Sequence, residues 1–391
     1  MYSKFGLNLV RLALHPATLL GTNSVYFNPK SRTFYTTKLS RVKLILVTIL
    51  MFFLGLFFLW RTLEIFLWKG GNSNEYFHIS YIFTFASAIC CDFLVMILVY
   101  QGDICQGASR LVRYCTDFEG RWMRNYNPSK SLTGTGLDTL LLLTIVSFST
   151  APLVSVLHYL VYPETPIFLP TIFPPAFRHN TVIYWSYAIF VAYYAYSLWQ
   201  TLLAITALVL MYLLSALPLI NTEFRIGSKN QKCSESLHTA WTLPTEYRCL
   251  ELIHRQFMNV TGNTLLGLHV ALGQLILFAN VTLVLKRNML EIHVILILLI
   301  WSMVAQTVWV FCLELFGRFE SGAKKMIGSW KKMKFRNSQE KRYMSKFRKG
   351  CHPLKIEKQG VFAIKRLTVL KFMRAVIKGT FRAVLTLGKV K

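Results

Sequence analysis

Between Val182 and Ile220 the chain runs for 39 residues without one charged side chain. At about 1.5 Å per residue a helix of that length reaches roughly 58 Å, well past a bilayer core of about 30 Å. Such a helix tilts strongly or projects beyond the membrane, and Pro218 marks its expected end. Six further apolar runs accompany it: Leu44 to Trp60, extending towards Trp68; Tyr81 to Tyr100; Leu140 to Tyr162, bent near Pro152; Leu265 to Leu285; Ile292 to Phe316; and Val361 to Leu387. In lipid a helix satisfies its own backbone, so these runs predict an all-α fold, a seven-transmembrane helix bundle. A chain that is 54% hydrophobic and 16% charged is not a soluble enzyme.

Basic residues give the expected orientation. Of 44 Lys and Arg, 31 fall in the N-terminal segment and the three loops that an internal N-terminus places in the cytoplasm, and seven fall in outer loops and the last residues. This predicts a cytoplasmic N-terminus and, with seven spans, an extracellular C-terminus, opposite to a G-protein-coupled receptor. The net charge of +27 is then topogenic, with membrane lipid as partner. Nucleic acid is not expected, because RNA-binding aromatics and zinc-finger spacings are absent. Residues 1–43 form a polar, basic cytoplasmic segment; its weakly apolar Leu7 to Leu20 is broken by Arg11, His15 and Pro16, so no cleavable signal peptide is expected. All eight cysteines fall in the membrane or cytoplasm, so no extracellular disulfide is expected. The sequons at Asn259 and Asn280 would escape glycosylation, and no internal repeat favours a transporter built on inverted halves.

Candidate sites follow from chemistry that is out of place. Spans one to six (44–316) bring Tyr81, Phe85, His158, Tyr159, Tyr184, Tyr187, Phe190 and Tyr194 to the outer half, where they line an apolar pocket with hydrogen-bonding tips or form the interfacial aromatic belt. Asp92 is a carboxylate deep in a span, either paired with a basic residue of the last helix or neutral and bonded to a neighbour such as Ser87. Glu314 reads as a solvated flank, and His269 and His293 as lone structural residues. With no HExxH, GxSxG, P-loop or CxxC pattern, no enzyme, cofactor or metal is expected.

The last run carries a row of charge. On a helix Lys371, Arg374, Lys378 and Arg382 fall within roughly 80°, and the opposite face holds Val369, Met373, Val376, Thr380, Val384 and Leu387. Hydropathy alone lays such a helix on an anionic membrane surface. Its lead-in reads Phe311, Cys312 and Gly317, then Ser321 and Trp330, then Cys351-His352-Pro353-Leu354-Lys355-Ile356, then Gly360-Val361-Phe362 and Thr380-Phe381-Arg382-Ala383-Val384-Leu385. Over about seventy residues this resembles the C-terminal signature of the insect-type odorant and gustatory chemoreceptor superfamily, the odorant branch more closely, since the gustatory Thr-Tyr-x5-Gln-Phe pattern is missing.

The resemblance implies that 361–391 is a seventh, pore-lining helix with a short outer tail, in a plasma-membrane chemosensory receptor that acts as a ligand-gated cation channel. It also implies a homo- or hetero-tetramer, with a co-receptor subunit as one option, opened by a small lipophilic or volatile odorant or tastant. By the same resemblance 317–360 is a cytoplasmic anchor with Trp330, Pro353, Leu354 and Ile356 as buried contacts, and Thr380, Val384 and Leu387 stand at the pore and gate. The six basic residues of the last run depart from the family pattern. A ring of Val384 side chains and a ring of the basic row cannot both face one axis, so cation and anion selectivity stay open here. The rival readings are a G-protein-coupled receptor and a membrane transporter.

Overall fold

The computed structural model describes residues 2–71, 74–123, 132–174, 180–358 and 361–387, so Gly360 of the C-terminal motif lies outside the described residues. Ten helices are named here in chain order: α1 Lys4–Leu20, α2 Lys38–Trp68, α3 Glu75–Trp122, α4 Leu132–Thr150, α5 Pro152–Val161, α6 Thr181–Pro218, α7 Thr242–Leu285, α8 Ile292–Ser329, α9 Ser338–Gly350 and α10 Thr368–Leu387. Two small antiparallel pairs complete the fold, β1 Val25–Asn28 with β2 Thr33–Thr36, and β3 Glu357–Lys358 with β4 Phe362–Ala363. Six helical stretches, with α4 and α5 forming one, are long and apolar enough to cross a membrane. The chain is thus a helical, multi-pass type of protein. Exposed Phe52, Phe53 and Leu56 on α2, Leu142 and Leu143 on α4, and Ile300 and Met303 on α8 give it a lipid-facing belt.

Several helices outrun their apolar stretches. α3 has 48 residues, roughly 72 Å at helical rise, so more than half of it lies beyond a bilayer core. Its one internal break is Tyr100, at φ −104° and ψ 16°, where the apolar run ends. α7 begins 23 residues before Leu265 because one face of its polar first half is apolar: Leu243, Tyr247, Leu250 and Ile253 are buried. α8 likewise continues past Phe316 to Ser329. Pro152 separates α4 from α5, as a proline without an N–H should. Pro218 does not stop the chain from coiling: a π-type turn, Leu219–Glu223, follows it, closed by Phe224 N–H donating to Leu219 O at 2.8 Å.

Two expectations need correction. The segment 1–43 is not merely polar: α1 docks on α6 and α4 through Leu7, Val10, Ala13, Leu14 and Ala17, while Arg11 and His15 fall on its exposed side. Ser3 caps it by accepting from Gly6 N–H, and Gly21 ends it at φ 82°. The last run is not helical from Val361, because Phe362–Ala363 is spent in the β4 pairing, and helix starts only at Thr368. α10 is 20 residues long, just enough to span about 30 Å, and its charge keeps it out of the six.

The interior falls into two clusters. One, at the end that the charge count predicts to be outer and called outer for that reason, as the other is called inner, joins α2, α3, α5, α6 and α8 through Phe58, Phe83, Tyr159, Val191, Tyr194 and Leu298. An inner one joins α1, the far end of α3, α6, α7 and α8 through Leu14, Phe118, Tyr212, Phe224, Tyr247 and Trp330. α6 serves both, and its apolar window is 67% buried against 11% for the α4–α5 span, which places α6 at the centre and α4–α5 at the periphery.

Candidate functional site

The outer aromatic residues assemble into two nests. Tyr159 stacks on Tyr184 (centroids 5.5 Å), meets Tyr187 edge-on (5.2 Å) and packs on Phe168, while Tyr187 lies 5.5 Å from Phe190. His158 joins through Phe168 and through His293, whose ring stacks on Tyr162 at 3.8 Å. Tyr194 sits deeper, against Phe58 at 5.4 Å. Tyr81 and Phe85 belong elsewhere: Tyr81 lies 4.0 Å from Phe278 of α7, and Phe85 packs on Tyr81 at 4.8 Å. Phe278 lies on a run where sequence periodicity does not separate inward from lipid-facing rings, and Phe168 lies in the α5–α6 loop, where no helical period applies.

The hydroxyl tips are already engaged. Tyr159 donates to Tyr184 O (3.1 Å) and Tyr184 to Leu160 O (3.0 Å), a reciprocal stitch between α5 and α6. Tyr187 accepts from Leu169 N–H at 3.1 Å, and Tyr194 and Ser87 share a 2.6 Å bond. Over this nest Arg61, buried near the end of α2, donates to Pro166 O at 2.8 Å and pairs with Glu64, so it straps the α5–α6 loop down. In the sequence Arg61 is one more basic residue at the end of an apolar run, with no local signal of that role. A cavity of about 70 Å³ lies elsewhere, at the inner end between α3, α6 and α7, lined by Ile104, Leu208 and Phe257 among others.

The inner end is a stitched hub. Trp330 is buried, donates to Phe224 O at 3.0 Å, stacks on Phe347 and meets Tyr247 edge-on. Tyr247 donates to His352 O at 2.8 Å. His254 bonds Lys355 O through Nε2 at 2.8 Å, so Nε2 carries the proton and Nδ1 accepts from Tyr212 at 2.6 Å. Leu354 and Ile356 are buried beneath these bonds and Pro353 is half-buried. All eight cysteines are free; burial pushes the Cys351 thiol up to about 11, so it stays protonated and packs as a small apolar group.

The hub leads straight into α10. Ile364 N–H donates to Ile356 O at 3.0 Å, and the next residues cross Gly317 of α8 so closely that a Cβ there would sit 2.8 Å from Arg366 Cα. α10 then docks on α7 and α8 with Phe372 and Val376 buried, Phe372 near Gly273 and Gly379 against Leu277. His269 accepts from Trp309 Nε1 at 3.0 Å and lies between Phe362 and Phe372. Glu314 pairs with Arg318 at 2.7 Å on the flank of α8.

Directly opposite the docked face, about 180° around α10, stand Arg374 and Phe381, and Phe381 is 66% exposed. The basic row, Lys371, Arg374, Lys378 and Arg382, is exposed on one flank of this outward face. Val384, half-buried with Thr380, lies on the other flank, and Leu387 is exposed at the end. Among the described residues none of the four basic side chains has a carboxylate within 4 Å. The expected pairing with Asp92 is therefore not formed within the chain. Asp92 is exposed on α3 beside Gly267 of α7, and Ser87 is committed to Phe83 O and Tyr194. Sequence periodicity does not tell which α10 face docks, so the place of Phe381 at the centre of the outward face is not legible in the sequence. No protein-family model and no curated protein matches this chain, so the chemoreceptor resemblance rests on its C-terminal motifs alone.

Proposed function

We propose that the chain is one subunit of a chemosensory, ligand-gated ion channel of the plasma membrane, opened by small lipophilic or volatile molecules. Its N-terminus is cytoplasmic, and α10 is a seventh membrane element leading to an extracellular C-terminus. The observation that carries this reading is α10: one face docked, the other presenting Phe381 between Val384 and a row of basic side chains that have no carboxylate partner among the described residues. Uncompensated charge at membrane depth needs water, and several copies with these faces turned inward supply a water-filled path, closed at Phe381 by an apolar ring. The tetramer implied by the resemblance fits this requirement. The stitched hub and the Gly317 crossing supply the lever between the cytoplasmic end and α10.

Charge bears on the ion. The cation preference that the resemblance implies requires the basic row to turn towards neighbouring subunits or headgroups, leaving Val384 and Phe381 on the axis; a row facing the axis favours anions. Ligand-evoked current recorded with ion replacement decides both function and ion. Phe381→Ala should raise resting current, and a reversal potential that follows chloride and loses that dependence in Lys378→Gln assigns the row to the path. Ligand-driven substrate uptake without current, in a chain that reaches the cell surface, overturns the channel reading.

A further inference from the structure

The β1–β2 hairpin lies against the inner part of α3, and between its tip and that helix is a recess of about 340 Å³. Three guanidinium groups line it, from Arg32 on the hairpin and from Arg110 and Arg113 on α3, together with Ser109, Thr116 and Asp117. Arg110 and Arg113 are one helical turn apart on α3, and all three arginines line the same recess. Among the described residues none of the three pairs with a carboxylate within 4 Å. Arg32 donates to Thr116 Oγ1 at 2.9 Å and Arg110 to Gln256 Oε1 at 3.2 Å, neutral partners that hold the side chains without cancelling their charge.

The hairpin tip is built to present Arg32. Asn28 Oδ1 accepts from the N–H groups of Lys30 and Ser31, and Phe34 N–H donates to Ser109 Oγ at 2.8 Å, which fastens the second strand to α3. Arg32 itself has φ 54°, and among the described residues it is the one non-glycine with positive φ. Arg32 is the left-handed residue that closes the hairpin loop between Asn28 and Thr33, and the turn places its side chain at the recess. Planar guanidinium forks match phosphate oxygens, and hydroxyls beside them accept or donate the remaining bonds. Three such forks against one carboxylate leave the recess net positive, and its volume suits a compact polar ring rather than an extended chain.

We propose that this recess binds a compact anion bearing two or more phosphate esters, the chemistry shared by phosphorylated inositol lipid headgroups and soluble inositol phosphates. Occupancy ties the hairpin, and through it the foot of α2, to α3. The site does not depend on the channel reading.

The test uses the full-length protein, in detergent with inositol hexakisphosphate and in nanodiscs with or without phosphatidylinositol bisphosphate, read by calorimetry and by native mass spectrometry. Arg110→Gln with Arg113→Gln should weaken binding by at least about tenfold, the loss expected on removing two charge-assisted contacts. Lys331→Gln with Lys332→Gln, which removes the same charge from an exposed site, should change it by less than about twofold. Arg32→Gly should weaken binding while raising the ligand-free unfolding midpoint, because it relaxes the backbone as it deletes the guanidinium. Binding confined to nanodiscs that contain the phosphorylated lipid names the membrane as source, and binding in detergent names the soluble ligand. Equal losses in the two double variants, or no binding in either medium, would overturn the assignment.

Discussion

Gly317→Ala tests the link between the inner hub and α10. The added methyl would stand 2.8 Å from Arg366 Cα and 3.2 Å from Arg366 N, backbone atoms with no rotamer to yield. Ordinary carbon contacts begin near 3.5–4.0 Å, so the strand entering α10 must retreat by roughly 0.7–1.2 Å. Overpacking of that kind costs about 1–3 kcal/mol. Charged against the docked arrangement alone, it shifts the equilibrium between docked and displaced α10 by about 5- to 150-fold. The assay is the concentration dependence of ligand-evoked current, with surface biotinylation to normalise expression. Gly328→Ala is the control, since a Cβ there meets nothing within 4 Å and lies on the same helix. Unchanged half-maximal concentration and resting current in Gly317→Ala, matching Gly328→Ala, would refute the coupling.

Trp330→Ala should cost about 3–5 kcal/mol by emptying a fully buried ring site, and Trp330→Phe about 1–3 kcal/mol by orphaning the Phe224 carbonyl; unfolding midpoints in detergent measure both, and a neutral Trp330→Phe would remove the hydrogen bond from the account. Tyr184→Ala and Tyr187→Ala should each move ligand potency about tenfold or more at unaltered surface expression, since each opens the outer nest and frees a backbone group; identical dose–response curves would return both residues to the interfacial belt. An epitope tag at the N-terminus should need permeabilisation for antibody access while one at the C-terminus does not, and two internal tags would lay α10 on the inner membrane surface instead.

Composition within each run decided which segments are apolar enough to cross a membrane, because transfer into lipid is a property of a stretch and its length, whatever its neighbours. Six of the seven runs, from Leu44 to Phe316, are long apolar helices for that reason, and the bend at Pro152 follows from its missing N–H. Tertiary contact decided the rest. α1 is only weakly apolar and the first half of α7 is polar by composition, yet they are helical because one face of each is buried in the inner cluster, a saving no local window registers. A short hairpin with Glu357–Lys358 took the first residues of the last run, a pairing that a window of apolar length does not register. The tyrosines of the outer half were legible as aromatic, but their hydroxyls were claimed by backbone groups on other helices. On α10 the wheel of residues was legible and its rotation was not. Phe372 and Gly379, fitted against α7, turned Phe381 and the basic row outward, because shape complementarity between two helices is a property of the pair.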